Sequence, residues 1–322
     1  MADNAWIWTP IGPESRPYEL EFSVKLTHPR EDRINLCGLP RLMSAPFPAH
    51  HRLVRDRRWW LEVPRASACN ARWSNMPSAP NPQATTMLVR KLESIATLSD
   101  KERQAIERLP VRINHLDARQ DIVRDGDKPS HCCLILNGWA CRYKLLSQGK
   151  RQILSFHIAG DIPDLQSLHI QTMDHSLATV TKTILAFIPH ENLRALAAQH
   201  PGIAALLWRN TLIDAGIFRE WMTGIGRRSA FERIGHLFCE MYLKLQAVGL
   251  AGDYRCPMPI TQTDLGDALG LTPVHVNRVL KEMRGQALIT LRSHTLVIEA
   301  WDELMRVAEF DPTYLHLDER AA

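Results

Sequence analysis

The chain has 322 residues, 45% of them hydrophobic, with a formal net charge of +4. That length suffices for two or three domains with their own cores, and the mild basicity names no partner by itself. No stretch approaches the roughly 18 consecutive apolar residues of a membrane span, and the N-terminus has no basic segment followed by an apolar one, so neither membrane insertion nor a secretory leader is expected. Seven cysteines (Cys37, Cys69, Cys132, Cys133, Cys141, Cys239, Cys256) are odd in number and form no CxxC pair. This argues against a disulfide framework or a zinc ribbon and for a cytoplasmic location.

Residues 1–86 hold eleven of the twenty prolines and five of the nine tryptophans, with no helical or alternating period. A low-order, Pro-rich N-terminal extension is expected there. It ends in the linker MPSAPNPQATT (Met76–Thr86), whose prolines oppose helix and sheet alike. Met87 is a candidate natural start. From Met87 the texture changes. Leu88, Leu92 and Ile95 suggest one short helix, and Ser99 with Glu102 three residues on suggests the capped start of another.

Between Val111 and Ile188 the pattern becomes strand-like, with Gly126, Gly138, Gly149 and Gly160 recurring every eleven or twelve residues. Evenly spaced turn signals between short strands indicate an antiparallel β-roll of the double-stranded β-helix or jelly-roll kind. ATVTKTILAFIP (Ala178–Pro189) reads as one late strand returning to the sheet. The roll with its flanking helices is assigned to residues 87–200. Cys132 and Cys133, adjacent on a strand, point to opposite faces and are read as small buried thiols. His131, His157, His169 and His175 lack a ligand spacing such as HxH, so no metal site is expected.

Residues 201–226 read as one long helix. Trp208, Leu212, Ala215, Phe218, Met222 and Ile225 follow spacings of three and four, an apolar seam suited to a second copy of the chain. Residues 227–310 then carry an amphipathic helix ended by Gly249 and the stretch ITQTDLGDALGLTPVHVNRVLKEM. Gly266 allows close helix approach there, and Gly270 supplies a turn. Thr272 is placed to cap the next helix, with Pro273 at its first position. Val276, Val279, Leu280 and Met283 form its inward stripe, while Val274, Asn277, Arg278 and Lys281 share the opposite side.

Such a frame is a helix-turn-helix whose second helix enters a DNA major groove. Arg278 suits guanine, Asn277 adenine and Val274 a thymine methyl. Thr261, Gln262, Thr272, His275 and Lys281 complete the candidate contact set, with Thr261, Gln262 and Lys281 suited to phosphates. Leu288–Leu291 and Thr295–Ile298 form a hairpin wing with Arg292 near its tip. The helix DELMRVAEF closes the domain, and residues 311–322 are left as a tail.

Roll, long helix and winged helix in this order resemble the Crp/Fnr family of bacterial transcription regulators. The resemblance covers Met87 to Phe310 and is most specific over Ile260–Ile289. It implies a homodimer on a near-palindromic operator, places the family's recognition arginine on Arg278, and adds RNA polymerase as a candidate partner. GDIPDLQSL (Gly160–Leu168) matches the loop that opens the family's ligand cassette, so Gly160, Asp161, Asp164, Gln166, His175 and Ser176 are the effector-pocket candidates. Asp174 and His175 stand where cyclic-nucleotide binders place an arginine, and an acidic residue there repels phosphate. Cyclic nucleotide is therefore not expected. No cysteine lies between Met87 and His131, so an iron–sulfur cluster is not expected either. Two alternatives stay open: a metal-dependent cupin-like enzyme fused to a winged helix, and a regulator whose degenerate sensor binds nothing.

Overall fold

The structure, a computed structural model, describes residues 79–317, which lie within one compact unit, Glu62–Ala322. Residues 1–78 of the expected extension lie outside the described residues. The last part of the expected linker does not behave as a linker. Ala79–Pro80 (β1) pairs antiparallel with Pro110–Leu116 (β2), and Pro82–Glu93 forms a helix (α1). The prolines sit where they are harmless. Pro80 is on an edge strand and Pro82 is in the first helical turn, where a missing N–H costs nothing. Asn81 caps the helix, accepting from the Ala84 N–H at 3.2 Å. The second helix, α2 (Asp100–Glu107), starts at the expected capping box of Ser99 and Glu102.

The roll is two four-stranded antiparallel sheets. Adding β3 (Asp121–Val123), β4 (His131–Asn137), β5 (Ala140–Leu145), β6 (Arg151–His157), β7 (Ser176–Thr179) and β8 (Thr183–Pro189), the sheet orders are β1-β2-β8-β4 and β3-β7-β5-β6. All four spaced glycines lie at turns with positive φ. The expected single strand over Ala178–Pro189 is in fact two strands, one in each sheet. Thr181 holds the crossing, because its hydroxyl accepts from the Trp139 N–H at 3.0 Å while Thr183 donates to the Trp139 carbonyl at 3.2 Å. Cys132 and Cys133 do face opposite ways. Cys132 packs with Leu88 and Leu134 under the helices, and Cys133 packs with Ile135 and Leu177 inside the roll.

After the short helix α3 (His190–Gln199), α4 runs for 27 residues, Pro201–Arg227. Only Arg228 and Ser229 separate it from α5 (Ala230–Ala247), which opens on a capping box of Ser229 and Glu232. Then come β9 (Arg255–Pro257), α6 (Gln262–Leu269), α7 (Pro273–Gly285), β10 (Ile289–Arg292), β11 (Thr295–Ile298) and α8 (Trp301–Val307). The wing is a three-stranded sheet in the order β10-β11-β9, one strand more than the hairpin expected. Nor are residues 311–317 a free tail. Pro312–Leu315 makes a 3-10 turn seated against α4, and Leu315 is 2% exposed.

Burial explains how these parts hold together. One core joins Cys141, Ile153 and Phe156 of the roll to Ile213, Ile217 and Trp221 of α4 and to Phe238, Leu265 and Leu280 of the C-terminal domain. Phe156 lies 6.0 Å from Trp221, ring to ring, at the centre of that junction. Roll and C-terminal domain therefore share apolar contacts directly, not only through the long helix.

Candidate nucleic-acid interface

The helix-turn-helix is built by local rules. Thr261 caps α6. Its hydroxyl accepts from the Asp264 N–H at 3.1 Å, and the Asp264 carboxylate in turn accepts from the Thr261 N–H at 3.1 Å. Gly270 ends the helix in the left-handed region at φ 67°. Gly266 is needed for a different reason: a Cβ on it would stand 2.5 Å from the Leu271 carbonyl oxygen. The Leu271 N–H donates to the Gly266 carbonyl at 3.0 Å, so the turn backbone lies directly against α6. Thr272 then caps α7 by accepting from the His275 N–H at 3.2 Å, with Pro273 in the first turn.

The two sides of α7 separate as their spacing predicts. Val276, Val279, Leu280 and Met283 are buried, while Val274 is 81% exposed and Arg278 and Lys281 face outward. Arg278 makes no ion pair to a described residue, which leaves its guanidinium open to a ligand. Gln262, Thr272 and Arg292 are exposed as well, and Thr261, His275 and Asn277 are half-buried. Gln262 is more than a candidate phosphate contact, since its side-chain oxygen accepts from Asn277 Nδ2 at 3.3 Å and ties α6 to the reading helix. Ser293 and His294 turn the wing with φ of 48° and 60°, and Arg292 precedes them.

On α4, Trp208, Leu212, Met222 and Ile225 are exposed, with Trp208 at 64% and Met222 at 71%. Ile203, Ile213, Ile217 and Trp221 on the other side are buried in the chain's own core. Ala215 and Phe218 are half-buried. Phe218 already has a partner, because the Arg142 guanidinium lies 5.6 Å from its ring centre.

The six effector-pocket candidates have different local partners. Gly160 lets α1 approach, since a Cβ there would meet the Met87 carbonyl at 2.7 Å. Asp164 bolts β4 in place, accepting twice from the Cys133 N–H at 2.9 and 3.1 Å, and burial pushes its carboxyl up to about 7. Gln166 and His175 contact each other at 3.3 Å, and Ser176 accepts from the Asp125 N–H at 3.0 Å. Asp161 alone of the six lines the cleft between roll and α4, together with Lys91, Arg142, His157, Asp214 and Lys244. Lys91 pairs with Asp161 at 3.0 Å, Arg142 pairs with Asp214 and donates from Nε to the Pro163 carbonyl at 2.8 Å, and Lys244 donates to the Phe156 carbonyl at 3.1 Å. Burial lowers His157 to about 4, so it stands neutral among these charges. Arg142 was missed in the sequence. Its only signal is a charge at a strand position that follows the apolar Ala140 and Cys141, with Lys144 two residues on in ACRYKL.

Among the described residues no three His, Cys, Asp or Glu side chains gather as a metal site. The five described cysteines are buried and spread over the three cores. No described helix is long and apolar enough to cross a membrane.

Comparison with known proteins gives this geometry a lineage. Residues 113–200 match the cyclic nucleotide-binding domain and residues 232–307 match the Crp-like helix-turn-helix domain. The nitrogen fixation regulation protein FixK of Rhizobium meliloti (strain 1021) is 27% identical over 175 residues, covering 54% of this chain and 75% of that protein. The regulatory protein HlyX of Actinobacillus pleuropneumoniae is 26% identical over 211 residues, covering 65% and 86%. The fold is shared with FixK2 from Bradyrhizobium japonicum, at 24% identity and a TM-score of 0.57 over 62% of this chain and 98% of that one. The two relatives are named as regulatory proteins, and regulators of the family that the matched domains define bind DNA and act as dimers and are not enzymes. With its roll, long helix and capped reading helix in that order, the chain belongs to the Crp/Fnr family of transcription regulators.

Proposed function

We propose that the protein acts in the cytoplasm as a homodimer on a near-palindromic operator, each α7 reading one half-site with centres roughly 10 bp apart. The observation that carries this reading is the two-sidedness of α7. Four buried apolar side chains moor it, and Val274, Arg278 and Lys281 stand free on the other side. Arg278 reads guanine O6 and N7, Asn277 reads adenine and Val274 packs on a thymine methyl. Thr261, Thr272, His275, Lys281 and Arg292 hold the backbone and set register. The second copy covers the exposed stripe of Trp208, Leu212, Met222 and Ile225 on α4. RNA polymerase is a further partner on this reading.

For the sensor, the cleft between roll and α4 favours the reading in which no small ligand is needed. Asp161 and Asp214 are already neutralised by Lys91 and Arg142 from within the chain, and a cyclic nucleotide would have to displace those pairs. Neither a cyclic nucleotide nor an iron–sulfur cluster belongs to this reading. Selection of bound duplexes from a random pool tests the whole of it. The expected product is a two-fold-related site, and Arg278→Ala should lose about 1–3 kcal/mol of discrimination at one base pair per half-site while still folding and dimerising. An unchanged consensus with the variant would refute the assignment of Arg278.

A further inference from the structure

The β5–β6 hairpin carries a contact that the helix-turn-helix scheme does not use. Its turn is tight, with the Leu146 N–H donating to the Lys150 carbonyl and the Gly149 N–H to the Leu146 carbonyl, both at 2.8 Å. Arg151, the first residue of β6, reaches from this turn to α6. Its Nε donates to Asp267 at 2.8 Å and its Nη2 to Asp264 at 2.6 Å. Beside it, Gln152 Nε2 donates to the carbonyl of Ala268 at 3.1 Å, near the C-terminal end of α6. Three donors from one strand therefore grip a helix more than a hundred residues further along the chain.

We propose that Arg151 is a positioning residue for DNA binding: through Asp264 and Asp267 it holds α6, and with α6 the reading helix, in the orientation that presents both half-site readers of the dimer at the spacing of the operator. This rests on the DNA-reading role of α7. The geometry supports it in three ways. A planar guanidinium can satisfy two carboxylates three residues apart on one helix, so the contact fixes direction as well as distance. Asp264 is also the capping partner of Thr261, accepting from that hydroxyl at 2.6 Å. The grip is thus continuous with the N-terminus of α6, and from Gln262 with Asn277 on α7. Moreover, Val274, Arg278 and Lys281 stay exposed while the grip is closed, so it orients the reading face without covering it.

The covalent joint leaves a role for such a further attachment. Only Arg228 and Ser229 link α4 to α5. The apolar core across the joint is non-directional, so rotation there is opposed chiefly by groups with fixed geometry. Arg151, at 30% side-chain exposure, contributes orientation with little share in the core.

The test compares two duplexes, both derived from a site that the wild-type protein selects from a random pool: the full operator and a single half-site. Arg151→Met is expected to bind the full operator roughly tenfold more weakly, about 1.4 kcal/mol, with half-site affinity unchanged and a broadened tolerance for spacers one or two base pairs longer or shorter. Asp267→Asn should reproduce part of this loss, and Arg151→Lys, which keeps the charge but reaches one carboxylate, should recover part of it. Equal loss on both duplexes with a salt slope lower by about 0.9 would make Arg151 a phosphate contact and overturn the proposal. So would unchanged or tighter operator binding by Arg151→Met. A wild-type protein that selects no site at all would instead remove the reading role of α7, and the role of Arg151 with it.

Discussion

Replacing Gly266 by Ala sets two effects of opposite sign against each other. In a helix interior Ala is favoured over Gly by about 1 kcal/mol. At this position the new methyl would lie 2.5 Å from the Leu271 carbonyl oxygen, nearly an ångström inside ordinary contact. That oxygen has little room to retreat, since Leu271 is tied back to the Gly266 carbonyl through its own N–H at 3.0 Å and is followed by the cap of α7. Overpacking against a fixed neighbour costs roughly 1–3 kcal/mol, and a backbone neighbour belongs at the upper end. The net expectation for Gly266→Ala is a loss of about 2 kcal/mol, or roughly 4–8 °C in the thermal midpoint for a domain of this size. Half-site affinity should fall with it, because the relief available is to move α7 away from α6. Gly285 is the control: it also lies in a helix, but a Cβ on it would meet nothing within 4 Å. Gly285→Ala should therefore match the wild type or gain about 0.5 kcal/mol. Thermal melts of the three proteins decide the matter. A Gly266→Ala protein as stable as Gly285→Ala would show that the close approach of turn and helix is not what demands glycine.

Two further outcomes follow from burial. Leu212→Glu and Met222→Glu each place a carboxylate in the stripe proposed to face a second copy; dimer association measured by sedimentation should weaken on the order of a hundredfold, about 3 kcal/mol. Phe218→Glu is a poorer probe, since the new carboxylate could pair with Arg142. An undisturbed dimer in both variants would move the interface elsewhere. His236 titrates at about 4 in the fold, chiefly because it is buried and then because Arg228 stands beside it. Its folded value lies below the unfolded one near 6.5, so the unfolded chain takes up the proton first. Stability is thus complete above about 6.5 and is lost as pH falls towards 4, by up to about 3 kcal/mol from this residue. His157 and His190, also near 4, add to the loss in the same window. Urea titrations across that range should show a shallower dependence for His236→Gln, and an identical slope would contradict the assignment.

Much of the reading head was legible because its determinants are local. The cap at Thr272, the turn at Gly270 and the stripe from Val276 to Met283 all act within a few residues, so residue type and hydrophobic spacing report them directly, whereas the capping box of Thr261 and Asp264 was not read from the sequence. That only Asp161 of the effector candidates lines the cleft between roll and α4 has the opposite cause. A cleft is assembled from residues distant in sequence, and the partnership of Arg142 with Asp214, or of Lys91 with Asp161, leaves no local period to read. The split of β7 from β8 was hidden likewise, since an apolar run does not show which of two sheets it joins. Pro80 and Pro82 misled in another way. Proline opposes regular structure only in its interior, and both stand at its edges.

The tail past residue 310 shows what such long-range contacts accomplish. Tyr314 donates to Glu240 at 2.9 Å, and the indole of Trp221 donates to the same carboxyl oxygen at 3.0 Å. Glu240, on α5, is fully buried, and burial raises its pKa. One carboxyl thus joins α4, α5 and the end of the chain at the joint between the dimer helix and the reading domain. Arg142 with Asp214 does the same between roll and α4, and Arg151 with its two aspartates between roll and α6. Buried or half-buried charge pairs add little net stability compared with apolar packing of equal volume. Fixed-geometry contacts of this kind at three joints, two of them charge pairs and one a carboxyl held by neutral donors, around a core that already supplies cohesion, are best understood as a specification of angle. Apolar surfaces tolerate sliding, whereas a donor matched to a carboxyl oxygen does so over a few tenths of an ångström only. On the proposed reading, a dimer that offers two reading helices at one fixed separation needs that second property, and these contacts lie where each joint would otherwise turn.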